Sequence, residues 1–147
     1  MELMMYKDSD LALCTKIYTA AFEAPPVNYG FITPEKATRY ITDLTKTPGF
    51  LGYTYWQNGI MAAFCFGKLD NYFDGSVFKV EELAVHPGFH RQGIGTTVMQ
   101  LMEEKLRFYR VSAISLQTSK DIPAYNFYVK NGYEEIQHSV CLAKMLS

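Results

Sequence analysis

Residues 80–96 read Val80-Glu81-Glu82-Leu83-Ala84-Val85-His86-Pro87-Gly88-Phe89-His90-Arg91-Gln92-Gly93-Ile94-Gly95-Thr96. The stretch up to Val85 reads as the end of a strand, which Pro87 and Gly88 break. Apolar residues then recur as Ile94, Val98, Leu101, Met102, Leu106 and Tyr109, the spacing of a helix over residues 93–109. A buried strand therefore runs through a tight glycine-containing turn into a helix N-terminus. Such a junction leaves backbone amides without intrahelical partners, and the helix dipole adds positive potential there. A pyrophosphate suits that environment, and glycine at 93 and 95 lets it approach the backbone closely.

Two nucleotide motifs are excluded. Gly88 and Gly93 have the spacing of a phosphate loop, but Ile94-Gly95 stands where Lys-Ser or Lys-Thr is needed. The three-glycine dinucleotide fingerprint is absent. Leu83-Ala84-Val85 followed by Gly93-Ile94-Gly95 resembles instead the acetyl-CoA motif of the GNAT superfamily of N-acetyltransferases, Arg/Gln-x-x-Gly-x-Gly/Ala after a strand ending in a Leu-Ala-Val-like triplet. A second stretch, with Ala124, Tyr128, Gly132 and Tyr133, resembles the family's later Ala-x-x-x-Tyr-x-x-x-Gly-Phe/Tyr motif. The resemblance implies acetyl-CoA as cofactor, held by Leu83, Ala84, Val85, His90, Arg91, Gln92, Gly93, Ile94, Gly95 and Thr96, and further along by Asp121, Asn126 and Tyr128. His90 stands where the family usually has Arg or Gln, with Arg91 beside it to supply cationic character. Asp121 stands where many members have Asn.

What the resemblance implies for chemistry is direct attack of an amine on the acetyl thioester. The amine must lose a proton, the oxyanion needs donors, and the departing thiolate benefits from a proton. Glu81 is expected as the base, on a strand face shared with Leu83 and Val85, while Glu82 is expected on the opposite face. Tyr128 is expected as the acid, since a phenol near pKa 10 matches a thiolate leaving group, and the Val85 N–H as the oxyanion donor. By the same resemblance the acceptor, a primary amine of a small molecule or peptide, is lined by Phe22, Asn28, Tyr29, Tyr72 and Phe73. Glu23 and Asp74 are the only acidic residues near those loops, which does not favour a polycationic antibiotic. The competing reading is a non-catalytic acyl-CoA-binding module of the same fold. Only catalysis requires Glu81 and Tyr128, and both are present.

Composition narrows the alternatives. Fourteen Lys and Arg against fifteen Asp and Glu give a net charge of −1, which argues against a nucleic-acid binder. The longest apolar run, residues 60–66, is far too short to span a membrane, and no secretion signal opens the chain. Cys14, Cys65 and Cys141 are unpaired in spacing, giving neither a disulfide framework nor a zinc knuckle, so a cytoplasmic location is expected. His86 and His90 are four apart, but Pro87-Gly88 between them prevents a continuous helix, and no metal is expected.

Outward from the central motif, Asn58-Gly59 joins strands at residues 50–56 and 60–68 in a hairpin. Residues 69–76 read as a polar loop and 77–85 as the strand entering the motif. A strand at 2–6 and a helix capped by Ser9 or Asp10, carrying Leu11, Leu13, Cys14, Ile17, Tyr18, Ala21 and Phe22 on one face, come before them. A second helix opens at Thr33-Pro34 with Ala37, Tyr40, Ile41 and Leu44 inward. After the motif come a strand at 112–118, a helix at 121–130 stopped by Asn131-Gly132, and closing strands at 133–136 and 138–145. The expectation is a single α+β domain over residues 1–147, a mixed, mostly antiparallel sheet of about seven strands flanked by about four helices. An exposed closing strand would need covering, for which a homodimer is one solution.

Overall fold

The computed structural model describes residues 1–23 and 33–147. It divides into two compact units, Met1–Gln117 and Thr118–Ser147. The first holds β1 (Glu2–Met5), α1 (Leu11–Glu23), α2 (Pro34–Thr45), β2 (Phe50–Gln57), β3 (Ile60–Tyr72), β4 (Gly75–Val85), α3 (Ile94–Phe108) and β5 (Ala113–Leu116). The sheet runs β1-β2-β3-β4-β5; the first four strands are antiparallel neighbours, and β4 and β5 are parallel. This is the expected α+β class.

The central strand is buried without interruption from Met61 to Gly67, as both faces of the sheet are covered. On one face Phe64, Phe66 and Ala84 pack with Cys14, Ile17 and Tyr18 of α1 and Ala37 and Ile41 of α2. The alternate residues, Ala63 and Cys65, are fully buried on the other face, where α3 contributes Val98, Met99 and Met102, also fully buried. Local signals hold where they are strong. Thr33 accepts from the Lys36 N–H at 3.2 Å with Pro34 at the first helical position. Asn58 (φ 50°) and Gly59 (φ 75°) form the turn between β2 and β3. Before α1 a 3-10 turn over Asp8–Asp10 intervenes, so neither Ser9 nor Asp10 caps the α-helix itself; the Asp10 carboxylate accepts from the Lys7 N–H instead.

Two expectations need correction. Residues 69–76 are no loop: β3 and β4 continue as a paired ribbon, Leu69 with Phe78 and Tyr72 with Gly75, with only Phe73 and Asp74 at the turn. Much of the ribbon is accessible, so no apolar alternation announces it. In the second unit α4 (Pro123–Lys130) starts two residues later than expected and stops at Asn131 and Gly132 (φ 92°) as read from the sequence. Residues 133–147 form no strand, so the sheet has five strands rather than seven. Strand formers become a strand only when a ladder accepts them; Ile136, Val140 and Leu142 are exposed, and Glu135 is held by Lys120 and Tyr125, each at 3.0 Å. Among the described residues, no helix is long and apolar enough to cross a membrane.

Candidate active site

The end of β4 and the start of α3 form one end of the site. His86 N–H donates to Ala62 O at 2.8 Å, so by ladder alternation the Val85 N–H and C=O point to the opposite edge, away from β3. On that edge β5 pairs only with Val77–Val80, so β4 runs on past its partner strand. The opening bares the Val85 edge. His90 Nε2 lies 3.0 Å from Val85 O; a carbonyl can only accept, so this ring nitrogen carries the proton and donates. His86 Nδ1 accepts from the Gly88 N–H at 2.9 Å, which tightens the turn. The two histidines thus serve the backbone, and among the described residues no group of three or more His, Cys, Asp or Glu could hold a metal ion.

Gly93 is the N-cap of α3 with φ 71°, a left-handed conformation that glycine adopts without steric cost. It offers no side-chain cap, and the first turn has no acidic residue. The first intrahelical bond comes from the Thr97 N–H to Gly93 O at 3.0 Å, so the amides of Ile94, Gly95 and Thr96 have no helical partner. A Cβ on Gly93 would meet nothing within 4 Å, so the cap is open to a ligand. Arg91 (φ 63°) and Gln92 are exposed at the rim. The amides, the absence of acid and the open approach fit the pyrophosphate of acetyl-CoA.

The other end of the site is carboxylate. A β-bulge opposes Phe66 to Glu82 and Gly67 to Val80, which leaves Glu81 as the extra residue. The bulge breaks the alternation that separated the two glutamates, and both now face the α1 and α2 layer. This corrects the expectation that Glu81 shares a face with Leu83 and Val85, which pair with Cys65 and Ala63 on the α3 side. It also corrects the expectation that Glu82 opposes Glu81. Glu81 lies 3.7 Å from Lys79 Nζ and borders a hollow of about 160 Å³ with Leu44, Thr47, Phe50 and Phe66. Glu82 accepts from the Tyr40 hydroxyl at 2.7 Å. Burial pushes the Glu82 carboxyl up to about 7; the Tyr40 bond opposes that shift and the Glu81 charge adds to it.

The other sequence candidates lie on several elements. Phe22 packs on Tyr18 in α1, with ring centroids 4.7 Å apart. Tyr72 and Phe73 sit at the tip of the ribbon, about 20 Å along the strand from Glu82 at 3.3 Å per residue, so they are not brought to it. Asn28 and Tyr29 lie outside the described residues. Tyr128 and Asn126 are on α4 and Asp121 just before it, all in the second unit; the Tyr128 ring contacts Phe127 and Tyr133. The pair that the sequence reading missed is Tyr40 with Glu82. Gly67, alone inside an apolar strand, was the available signal of a bulge.

Residues 14–133 match the model of the acetyltransferase (GNAT) family. The chain belongs to that family. No curated protein matches the sequence. Among solved structures this GNAT chain is similar to an aminoglycoside 6'-N-acetyltransferase from Acinetobacter haemolyticus, at 13% identity and TM-score 0.72 over 100% of both chains. It is also similar to an aminoglycoside acetyltransferase from an uncultured soil metagenomic sample, at 20% identity and TM-score 0.71 over 99% and 98% of the two chains. A GNAT family acetyltransferase from Staphylococcus aureus aligns at 14% identity and TM-score 0.68 over 99% and 98%. At these identities the likeness is one of fold.

The raised Glu82 carboxyl has a consequence for stability. Its folded value of about 7 lies above the ordinary 4.5, so the neutral form is the one that folding favours. That contribution is fully present below pH 4.5 and is lost as pH rises through about 7. Glu82→Gln, which stays neutral, is expected to gain on the parent protein between these values, by at most about 3 kcal/mol. Urea unfolding at pH 4 and pH 8 checks this; a stability difference that does not change with pH would sink it.

Proposed function

We propose that this GNAT protein transfers an acetyl group from acetyl-CoA to a primary amine of a small molecule or peptide, by direct attack within a ternary complex. The observation that carries the reading is one strand, β4, which presents the partly buried Glu82 carboxylate and, three residues on, the Val85 N–H on the edge away from β3, beside the α3 amides. When bound, acetyl-CoA supplies the acetyl thioester. The amides of Ile94, Gly95 and Thr96 would hold its pyrophosphate, with Arg91 and Gln92 at the rim, and the Val85 N–H would face the developing oxyanion. Glu82 rather than Glu81 takes the amine proton, directly or through water. A carboxyl near 7 is matched to that task, whereas Glu81 faces a lysine. Tyr128 holds the proton for the leaving thiolate, as its place in the family's later motif implies.

The test is free-thiol release from acetyl-CoA across small amines, polyamines, peptides and aminoglycosides, the last prompted by the acceptors named for two structural neighbours. Turnover is expected with one amine class, and Tyr128→Phe is expected to lower it by about 10²-fold. Tight binding of acetyl-CoA with no turnover on any amine would instead indicate a sensing module.

A further inference from the structure

Glu82 is held by a residue from another layer of the fold. Tyr40, on α2, donates its hydroxyl proton to Glu82 Oε1 at 2.7 Å, and its ring lies against Tyr18 of α1 with centroids 5.6 Å apart. Tyr18 in turn packs on Phe22. An aromatic stack spanning both helices therefore fixes where the Tyr40 hydroxyl sits. We propose that Tyr40 is a positioning residue, which clamps one oxygen of Glu82 so that the other, Oε2, is the atom that receives the amine proton. The proposal rests on the proposed function for the identity of that proton.

The chemistry balances without breaking the clamp. A phenol hydroxyl has one proton to donate, and Tyr40 gives it to Oε1. No hydrogen bond to Oε2 is found among the described residues. The amine N–H bond breaks as the proton moves to Oε2, directly or through a water, and Oε1 still accepts from Tyr40 in the protonated acid. The nitrogen keeps its electron pair for attack. The groups whose charge acts on Glu82 are Tyr40 from α2, Tyr18 from α1, Cys65 from β3 and its neighbour Glu81. None is a cation, so the Tyr40 bond is the interaction that favours the ionised carboxylate against burial.

The experiment is Tyr40→Phe, which keeps the ring in the stack and removes only the hydroxyl. Two readouts are taken: the titration of Glu82 by carbon NMR of protein labelled at the glutamate carboxyls, assigned with Glu82→Gln, and the pH profile of kcat/KM for the amine found by the panel. Loss of the bond is expected to move both midpoints up by about half a pH unit or more, so that kcat/KM falls about threefold or more below pH 6 and recovers above pH 9. A purely structural part for Tyr40 would lower activity equally at all pH values and leave the carboxyl titration in place. That outcome overturns the proposal, as does a wild-type Glu82 that titrates below 5. If the NMR midpoint moves but neither protein turns over any amine, the clamp stands and the acetyltransfer reading falls.

Discussion

Glu82→Gln is expected to lower kcat/KM for the preferred amine by about 10²- to 10⁴-fold, the range spanned by loss of a positioned general base. Gln keeps the shape and an oxygen for the Tyr40 hydroxyl but has no oxygen that can take up a proton. The rate should lose its acidic limb near pH 7 along with its magnitude, because the limb reports ionisation of the missing carboxyl. Glu81→Gln serves as the comparison. Its carboxylate faces Lys79 at 3.7 Å and is about a third exposed, so its removal is expected to change the rate less than tenfold. Steady-state thiol release from pH 5.5 to 9.5 reads both. Equal losses in the two variants would return the base to Glu81, and a retained acidic limb in Glu82→Gln would remove Glu82 from the mechanism.

The second large effect is expected at a residue without a side chain. Gly67 opposes the bulge that carries Glu81, and a Cβ there would run into the Lys79 carbonyl oxygen and come within 2.6 Å of Phe78 Cζ. The φ of Gly67 is not in the left-handed region, so the constraint is space alone. One obstacle is a backbone atom of the neighbouring strand, so relief requires β3 and β4 to separate. Gly67→Ala should therefore cost about 3 kcal/mol, the upper part of the range for overpacking, and lower Tm by about 10 °C. Turnover should fall with it, since the bulge is what directs Glu82 to Tyr40. Calorimetry together with thiol release tests this. A variant within 2 °C of the parent Tm would mean that the ladder accommodates the methyl and that the bulge does not depend on this glycine.

Both predictions concern features that a sequence reading could not place. The turn from Val85 into α3, the Asn58-Gly59 hairpin, the Thr33-Pro34 helix start and the Asn131-Gly132 stop are legible because each is a local event, decided by φ preferences, missing donors and caps within a few residues. The cofactor end of the site is of this kind. The carboxylate end is not. That Glu81 and Glu82 face the same layer depends on one extra residue in β4, and that residue is extra only relative to the register of β3. Strict alternation over residues 81–85 therefore put Glu82 opposite Leu83 and Val85, as found, but assigned Glu81 the wrong face. The ribbon beyond Lys68 escaped notice for a related reason, since none of the β3 residues past Lys68 is buried and no buried face imprints a period on them.

By itself, then, the sequence determined a GNAT fold class, the glycine turn, the amide cradle at the start of α3 and the presence of candidate acids and bases. The fold class rests on the resemblance of two motifs to the family, and the turn and the amide cradle on short-range stereochemistry. Only the tertiary structure decided that Glu81 and Glu82 face the same layer, that Tyr40 holds Glu82, that Tyr72 and Phe73 lie at the far tip of the ribbon, and that residues 133–147 form no strand. The physical reason is common to all four. Each depends on what a residue meets across a ladder or between layers, and side-chain period carries no information about a partner distant in the chain.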